Sequence, residues 1–221
     1  NLLIGAGISL KSTTHNGDEL PTGESLRTEL CTLKEARLST SLQRVSELLT
    51  QSEINELITV RFSNTIPGPA VCKIPTFPWR RIFSLNVDDA VEEAYSSTTA
   101  LQNLEVFNYR DIYQESRELS SVPIVHLHGY SARPNDGYVF SRTSYVDQAS
   151  RGNSWMTVLA DLLAVEPFIV IGTALDEPDL DYYLSRRNTV SSRQDKGPGI
   201  FVEPFPDAVT RKDCEKHDLI L

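Results

Sequence analysis

The stretch that most constrains the fold is an apolar segment followed by a glycine turn, LLIGAGIS at residues 2–9. Three apolar residues predict a short buried strand. Gly5-Ala6-Gly7 then predicts a tight turn, because glycine permits backbone angles and close approaches that a Cβ forbids. Backbone N–H groups at such a turn can bind a phosphate, and the Ser9 hydroxyl adds a donor. A plain strand and turn would look the same, since the third glycine of the common dinucleotide fingerprint is missing.

Apolar segments of strand length recur along the chain and alternate with helical patterns. Besides residues 2–4, strands are predicted at 81–85, 104–107, 122–127, 138–140, 168–172 and 199–202. Helices are predicted from residue 24, at 42–49, at 54–58, from Asp88, at 155–165, and around Pro178 with Asp176 or Glu177 as the cap. Residues 66–78 contain four prolines and are predicted to be extended or looped. The alternation predicts an α/β fold, a Rossmann-like parallel sheet covered by helices on both faces.

We expect one domain over residues 1–221, with a small helical insertion at about residues 24–65. The chain opens without a methionine, inside a predicted strand, and stops on an apolar run at residues 219–221. These two ends favour the interpretation that the chain is a piece of a longer polypeptide.

Charge and composition argue against several classes of protein. A formal net charge of -9 disfavours nucleic-acid binding, which needs a basic face. No apolar run approaches the ~20 residues of a membrane span, and no basic segment precedes Leu2 as in a secretory signal. The cysteines, Cys31, Cys72 and Cys214, are too scattered for a disulfide framework or a paired-cysteine zinc site. We therefore expect a cytoplasmic protein that needs no metal.

Polar residues follow two of the predicted strands. Asn86 and Asp88 follow the second strand, where a turn residue and a helix N-cap are the ordinary alternatives. His126 and His128 lie two residues apart near the end of another strand and are expected to point to the same face. One histidine at a strand end is more often structural than catalytic, and a second one beside a glycine turn raises the odds of a functional site while leaving both interpretations open.

Ligands of open parallel sheets bind outside the carboxyl ends of the strands. Residues 5–9, Asn86, His128 and the pair Gly172-Thr173 each follow a predicted strand at that end. The fold prediction therefore places these four segments around one crevice.

Four motifs, GAGIS, SLNVDDAVE, HLHGY and IGTALDEPDL, together resemble the ordered motifs of the sirtuin-like family. The similarity is greatest to bacterial sirtuin-like effector domains that degrade NAD during antiphage defence, which also favour a run such as Asp176, Pro178 and Asp179. The resemblance extends from Leu3 to about Val202. Two departures stand out. The four-cysteine zinc ribbon of protein-deacylating sirtuins is missing, and Tyr130 stands where a small residue usually follows the glycine.

The resemblance implies a role for each matching residue. The implied catalytic residues are Asn86, Asp88 and His128, and His126 is not among them. The implied NAD-binding residues are Gly5, Ala6, Gly7 and Ser9 at the pyrophosphate and Gly172 and Thr173 at the adenosine side. Asn86 could hold a ribose hydroxyl or the attacking water, with Asp88 orienting it or contacting the ribose. His128, with a reference pKa near ~6.5, could serve as the base.

The expected function is hydrolysis of NAD to ADP-ribose and nicotinamide, as a toxic effector that depletes NAD in antiphage defence. NAD is thus expected as a substrate, and no metal takes part. The alternatives are an NAD-dependent protein deacylase and a catalytically silent domain that senses NAD or ADP-ribose. The resemblance also implies a sensor domain or partner protein and a homo-oligomer whose assembly controls the activity.

Overall fold

The computed structural model describes residues 1–112, 118–150, 154–175, 177, 179–189 and 196–221. Six strands within these residues form one sheet: β1 (Leu2–Ile4), β2 (Ile82–Ser84), β3 (Asn103–Asn108), β4 (Ser121–His126), β5 (Phe168–Ile171) and β6 (Gly199–Val202). Their order is β3-β4-β2-β1-β5-β6, and every neighbouring pair is parallel. The predicted Rossmann-like α/β fold is confirmed.

Helices lie between most of these strands, and a further helix follows β6. They are α1 (Gly23–Leu33), α2 (Leu42–Val45), α3 (Gln51–Phe62), α4 (Ala90–Ser97), α5 (Arg142–Ser150), α6 (Ser154–Val165), α7 (Leu180–Ser185) and α8 (Ala208–Lys216). Within the described ranges, no helix has the length and apolarity that crossing a bilayer requires.

The two faces of the sheet carry separate apolar layers. On one face, Phe83, Val125 and Val170 pack with side chains of α6 and α7, including Trp155. On the other face, Ile82 and Ile124 pack with α4 and with a 3₁₀ helix over Val71–Thr76. Each fully buried side chain of this kind contributes about 1.5–3 kcal/mol of transfer free energy. Burial on both faces explains why these strands read as continuous apolar runs.

Helices α1–α3 pack around a third apolar cluster, which includes Leu30, Val45, Ile58 and Phe62. Helix α1 begins at an N-cap, Thr22, whose hydroxyl accepts the Ser25 N–H at 3.1 Å. Helix α3 begins with a capping box between Thr50 and Glu53. Val87, just beyond β2, belongs to the same cluster, so this helical block is fixed against the carboxyl edge of the sheet.

The chain changes direction across β1. It reaches β2, β3 and β4 on one side of β1 and then returns to place β5 and β6 on the other side. Ile4, the last residue of β1, pairs with both Ser84 and Ile171, so the three central strands end together. A crevice for a ligand forms at such a reversal of strand order.

Some local predictions differ from the structure. Residues 138–140 are not a strand; instead the Val139 N–H donates to the His128 carbonyl at 2.9 Å, as an isolated contact. Residues 66–78 are less extended than predicted, because Val71–Thr76 form a 3₁₀ helix with Pro75 inside it. The helix predicted at 42–49 is divided into α2 and a 3₁₀ helix at Ser46–Leu48.

The helix after β5 begins later than predicted. Its N-cap residue is Asp179 rather than Glu177, while Asp176 and Pro178 lie outside the described residues. Helices α5 and α8 have no counterpart among the predictions, because their sequences, RTSYVDQAS and AVTRKDCEK, carry few apolar residues at helical spacing.

Candidate functional site

The strand register brings the predicted site residues to one edge of the sheet. Ser84 of β2 pairs with His126 of β4, so Asn86 and His128 each lie two residues beyond the same rung. Ile4 pairs with Ser84 and with Ile171, which places the Gly5 turn between Asn86 and Gly172. Four neighbouring strands therefore present their predicted residues side by side.

The two glycine turns at this edge pack directly against each other. A Cβ on Gly5 would lie 2.7 Å from the Gly172 carbonyl oxygen, and a Cβ on Gly172 would lie 2.4 Å from the Ile8 nitrogen. Gly172 also has a φ of +78°, which side chains rarely permit. Glycine is therefore required at both positions because the turns that follow β1 and β5 pack so closely.

The same contact uses backbone donors of the first turn. The Gly5 N–H donates to Ile171 at 3.0 Å, and the Gly7 N–H donates to Gly172 at 2.6 Å. The sequence predicted that such donors would be open to a phosphate, and these two are occupied by the neighbouring turn. Ala6 is exposed at the outer side of the turn. The pyrophosphate contact of this turn remains a prediction.

Ser9 joins Asn86 to Asp88. Asn86 Nδ2 donates to Ser9 Oγ at 3.1 Å, and Ser9 Oγ donates to Asp88 Oδ2 at 3.1 Å. All three side chains are buried, with exposed fractions of 4–7%. We call this chain of hydrogen bonds the Asn86 relay. It links Asp88 to Asn86 through Ser9 and engages the Ser9 hydroxyl as a donor to Asp88, while the assignment of Ser9 to the pyrophosphate remains a prediction.

The oxygen of the Asn86 amide differs from its nitrogen in hydrogen bonding. Asn86 Oδ1 is buried and accepts no hydrogen bond from any group in the described part of the chain. An unsatisfied buried acceptor costs about 1–3 kcal/mol, so it is normally matched by a ligand or by water. Asn86 Oδ1 is thus suited to accept a hydrogen bond from a ligand hydroxyl or a bound water.

Asp88 lies in an unfavourable place for a negative charge. Burial, with a smaller contribution from the nearby Glu92 carboxylate, raises the pKa of Asp88 to about 6 in spite of the opposing effects of the Ala90 N–H and His126. The Ala90 N–H donates to Asp88 Oδ1 at 3.1 Å, so the carboxylate also satisfies the first turn of α4. The N-cap residue of α4 is Asp89 rather than Asp88, so the N-cap prediction for Asp88 is wrong, although Asp88 accepts the N–H of the first helical residue while it takes part in the relay.

His128 pairs with a carboxylate that the sequence assigned no role. His128 Nε2 lies 2.9 Å from Asp179 Oδ2, and both side chains are buried. Burial by itself lowers the pKa of His128, but Asp179 more than offsets this and raises the pKa above its usual value. Tyr145 of α5 packs edge-on against the imidazole, with centroids 5.3 Å apart. The imidazolium form of His128 is therefore stabilised in place.

The two histidines do not share a face, so that prediction is wrong. His126 contacts Glu92 of α4, on one side of the sheet, at 2.7 Å. His128 contacts Asp179, immediately before α7, which packs on the opposite side. β4 ends at His126, and beyond that point the alternation of a strand no longer fixes where side chains point.

Thr173 lies in the loop after β5, with its side chain buried. Its hydroxyl accepts the Leu175 N–H at 2.9 Å and donates to the Glu177 carboxylate. These contacts hold the loop that leads to Asp179. The assignment of Gly172 and Thr173 to the adenosine side of NAD remains a prediction.

A family model for the SIR2-like domain matches residues 80–219. The chain belongs to the SIR2-like family. The match covers Asn86, Asp88, His128 and Asp179 and begins after the first strand. No curated protein matches the chain at a significant level. Family membership supports an NAD-related activity, in agreement with the resemblance of the four motifs.

Two carboxylates that pair with His126 and His128 were missed from the sequence. Asp179 follows the late strand in the IGTALDEPDL motif, so its motif position was a usable signal. Glu92 offered only a weak one: it lies four residues after Asp88 and so on the same side of a predicted helix. Neither spacing indicates which histidine each carboxylate contacts.

Proposed function

We propose that this SIR2-like domain hydrolyses NAD to ADP-ribose and nicotinamide. The observation that carries the proposal is the buried, unpartnered Asn86 Oδ1 at the carboxyl edge of the sheet. It lies beside a strand end that presents a histidine paired with a carboxylate. An acceptor held in place and a buried base are the two groups that attack by water or by a ribose hydroxyl requires.

In this mechanism the bond between nicotinamide and the ribose breaks first. Nicotinamide leaves with the bonding electron pair as a neutral molecule, so positive charge develops on the anomeric carbon. Asn86 Oδ1 accepts a hydrogen bond from the attacking water or the ribose hydroxyl. The water oxygen bonds to the anomeric carbon, and its proton passes to His128, whose charged form Asp179 stabilises.

The remaining predicted residues bind the rest of NAD. The turn at Gly5, Ala6 and Gly7 lies at the switch point of the sheet, where pyrophosphates bind in open α/β folds. Gly172 and Thr173 adjoin this turn and are assigned to the adenosine side. Asp88 and Ser9 are assigned to orienting Asn86 through the relay.

Hydrolysis is favoured over protein deacylation because the sequence has no cysteine between Cys72 and Cys214 to form a zinc ribbon. The third candidate, a silent NAD or ADP-ribose sensor, makes no use of an imidazole paired with a carboxylate. We also propose a cellular role as an NAD-depleting effector of antiphage defence in the cytoplasm. An unrestrained NADase would exhaust the NAD of its own cell, so a sensor domain, partner protein or homo-oligomer is proposed to gate it.

The test is to incubate the purified protein with NAD and to follow nicotinamide release by liquid chromatography, with an acetylated peptide added in a parallel sample. We expect equal nicotinamide release with and without peptide, and ADP-ribose as the other product. Binding of NAD without release, in the dilute and in the concentrated protein alike, would support the sensor instead. Full turnover by a dilute monomer would show that assembly is not the gate.

A further inference from the structure

His126 is one of the most completely enclosed polar residues of the protein, with 1% of its surface exposed. Its Nδ1 lies 3.0 Å from the backbone carbonyl oxygen of Asn86, and its Nε2 lies 2.7 Å from Glu92 Oε1. Both neighbours are acceptors, so the ring donates from both nitrogens, as an imidazolium. Burial opposes this charge, but Glu92 outweighs burial and raises the pKa of His126.

Further groups enclose this imidazolium. The ring of Tyr130 stacks on it, with centroids 4.4 Å apart and planes inclined by 20°. The Asp88 carboxylate also acts on it through space. Tyr130 is the residue that departs from the family pattern after the glycine, and in this structure it covers His126. A side chain enclosed in this way holds its hydrogen-bond partners in fixed positions.

The partner that matters for function is Asn86. Its backbone N–H donates to Ser84 Oγ at 3.1 Å, and its carbonyl accepts from Ser84 Oγ at 3.3 Å as well as from His126. Its side chain is anchored only at Nδ2, by Ser9, among the described residues. The His126 hydrogen bond is the shorter of the two that hold the carbonyl, and any rotation of that peptide would also move the Asn86 side chain.

The geometry points to His126 as a positioning residue for Asn86: its Nδ1–H fixes the Asn86 carbonyl and thereby the direction of the Asn86 amide. This inference rests on the proposed function for its effect on turnover. His126 contacts no part of the substrate in this role. Its partner Glu92 contacts the opposite ring nitrogen, Nε2, and does not touch Asn86 in this arrangement.

Two amide substitutions separate the two hydrogen bonds of His126. An asparagine places its Nδ2 near the position of the imidazole Nδ1, whereas a glutamine places its Nε2 near that of the imidazole Nε2. His126→Asn therefore keeps the donor to Asn86, and His126→Gln keeps the donor to Glu92. We expect His126→Asn to retain kcat within about threefold and His126→Gln to lose about tenfold or more, with KM for NAD unchanged.

A structural role for the buried ion pair predicts a different ranking. Equal losses for the two variants, or a larger loss for His126→Asn, would overturn the inference. Glu92→Gln is the matched control, because it removes the carboxylate charge while leaving the Nδ1 donor. Retained turnover in Glu92→Gln supports the inference even if both His126 variants fail to fold, and a tenfold loss there contradicts it.

A measurement without turnover distinguishes this inference from the proposed function. Amide hydrogen exchange of a peptide spanning residues 85–89 should be faster in His126→Gln than in the wild-type protein and nearly unchanged in His126→Asn. Failure of wild-type protein to release nicotinamide would reject the NADase proposal only. Identical exchange in all three proteins would reject the positioning role.

Discussion

The two histidines at the end of β4 are alike in burial but differ in what they hold. His126 lies within the strand and links Glu92 to the backbone of Asn86. His128 lies beyond it and pairs with Asp179 on the opposite side of the sheet. Each of these buried histidines pairs with a carboxylate, so such a pair does not by itself mark a catalytic base, and the proposed assignment of that role to His128 rests on its position beyond the strand end.

The largest expected effect is at His128. We expect His128→Ala to lower turnover of NAD by about 10²–10⁴-fold, because general-base catalysis contributes that much. His126→Ala should cost far less, about tenfold, since it only loosens Asn86. Turnover is measured as nicotinamide release, with exposed His15→Ala as the control. Similar losses at His126 and His128, or full activity without His128, would remove the distinction between them.

Asn86→Ala tests the residue whose backbone carbonyl His126 contacts. We expect turnover to fall by about 10²–10³-fold, because a preorganised hydrogen-bonding group is lost at the reacting atoms. Binding of NAD, measured by calorimetry, should survive because the phosphate contacts lie elsewhere. Asn103→Ala, on an exposed position of β3, is the matched control. Normal hydrolysis by the variant, or loss of its cooperative thermal unfolding, would make Asn86 a structural residue.

Asp179→Asn removes the negative charge of the side chain that pairs with His128 and keeps the shape of that side chain. A base must be deprotonated to act. The raised pKa of His128 therefore places the rising limb of the pH–activity profile above the pH at which a histidine ordinarily titrates. Removing the carboxylate should lower that pKa, move the limb to lower pH and reduce the maximal rate by about 10²-fold. A pH profile that keeps its wild-type limb would show that Asp179 does not act through His128.

The same pair affects stability in a defined pH window. Because the folded pKa of His128 is raised, the stabilisation is fully present below its unfolded pKa of about 6.5 and is lost as the pH rises through the folded value. The advantage of wild-type protein over Asp179→Asn in urea denaturation should therefore be greater at pH 6 than at pH 9.

The smallest expected effect concerns Asp88. Its pKa is raised to about 6 by burial, so its ionisation destabilises the fold as the pH rises from about 4 to above 6. Asp88→Asn should therefore gain about 1–3 kcal/mol over wild type at pH 8 and much less at pH 4, measured by urea denaturation. Turnover should fall by about tenfold, because the asparagine amide group can donate a hydrogen bond to Ser9 where the aspartate carboxylate only accepts one. A gain that is the same at both pH values would contradict the raised pKa.

The sequence by itself determined the parallel sheet and the residues at its carboxyl edge. Continuous apolar runs such as residues 168–171 can be satisfied only by burial on both faces, and the polar residues that follow them must then meet at one edge. The positions of Asn86 and His128 follow directly from that rule. Local periodicity also located most helices, but not the largely polar α5 and α8.

Only the tertiary structure decided which side chains act together. Ser9 and Asp88 are 79 residues apart in the chain, and His128 and Asp179 are 51 apart, so no local pattern relates them. Their contacts depend on how α4 and α7 pack on opposite faces of the sheet. For the same reason the sequence could place two histidines at one strand end but not show that they turn to different carboxylates. Strand alternation stops where the ladder stops, and packing alone directs the side chains beyond it.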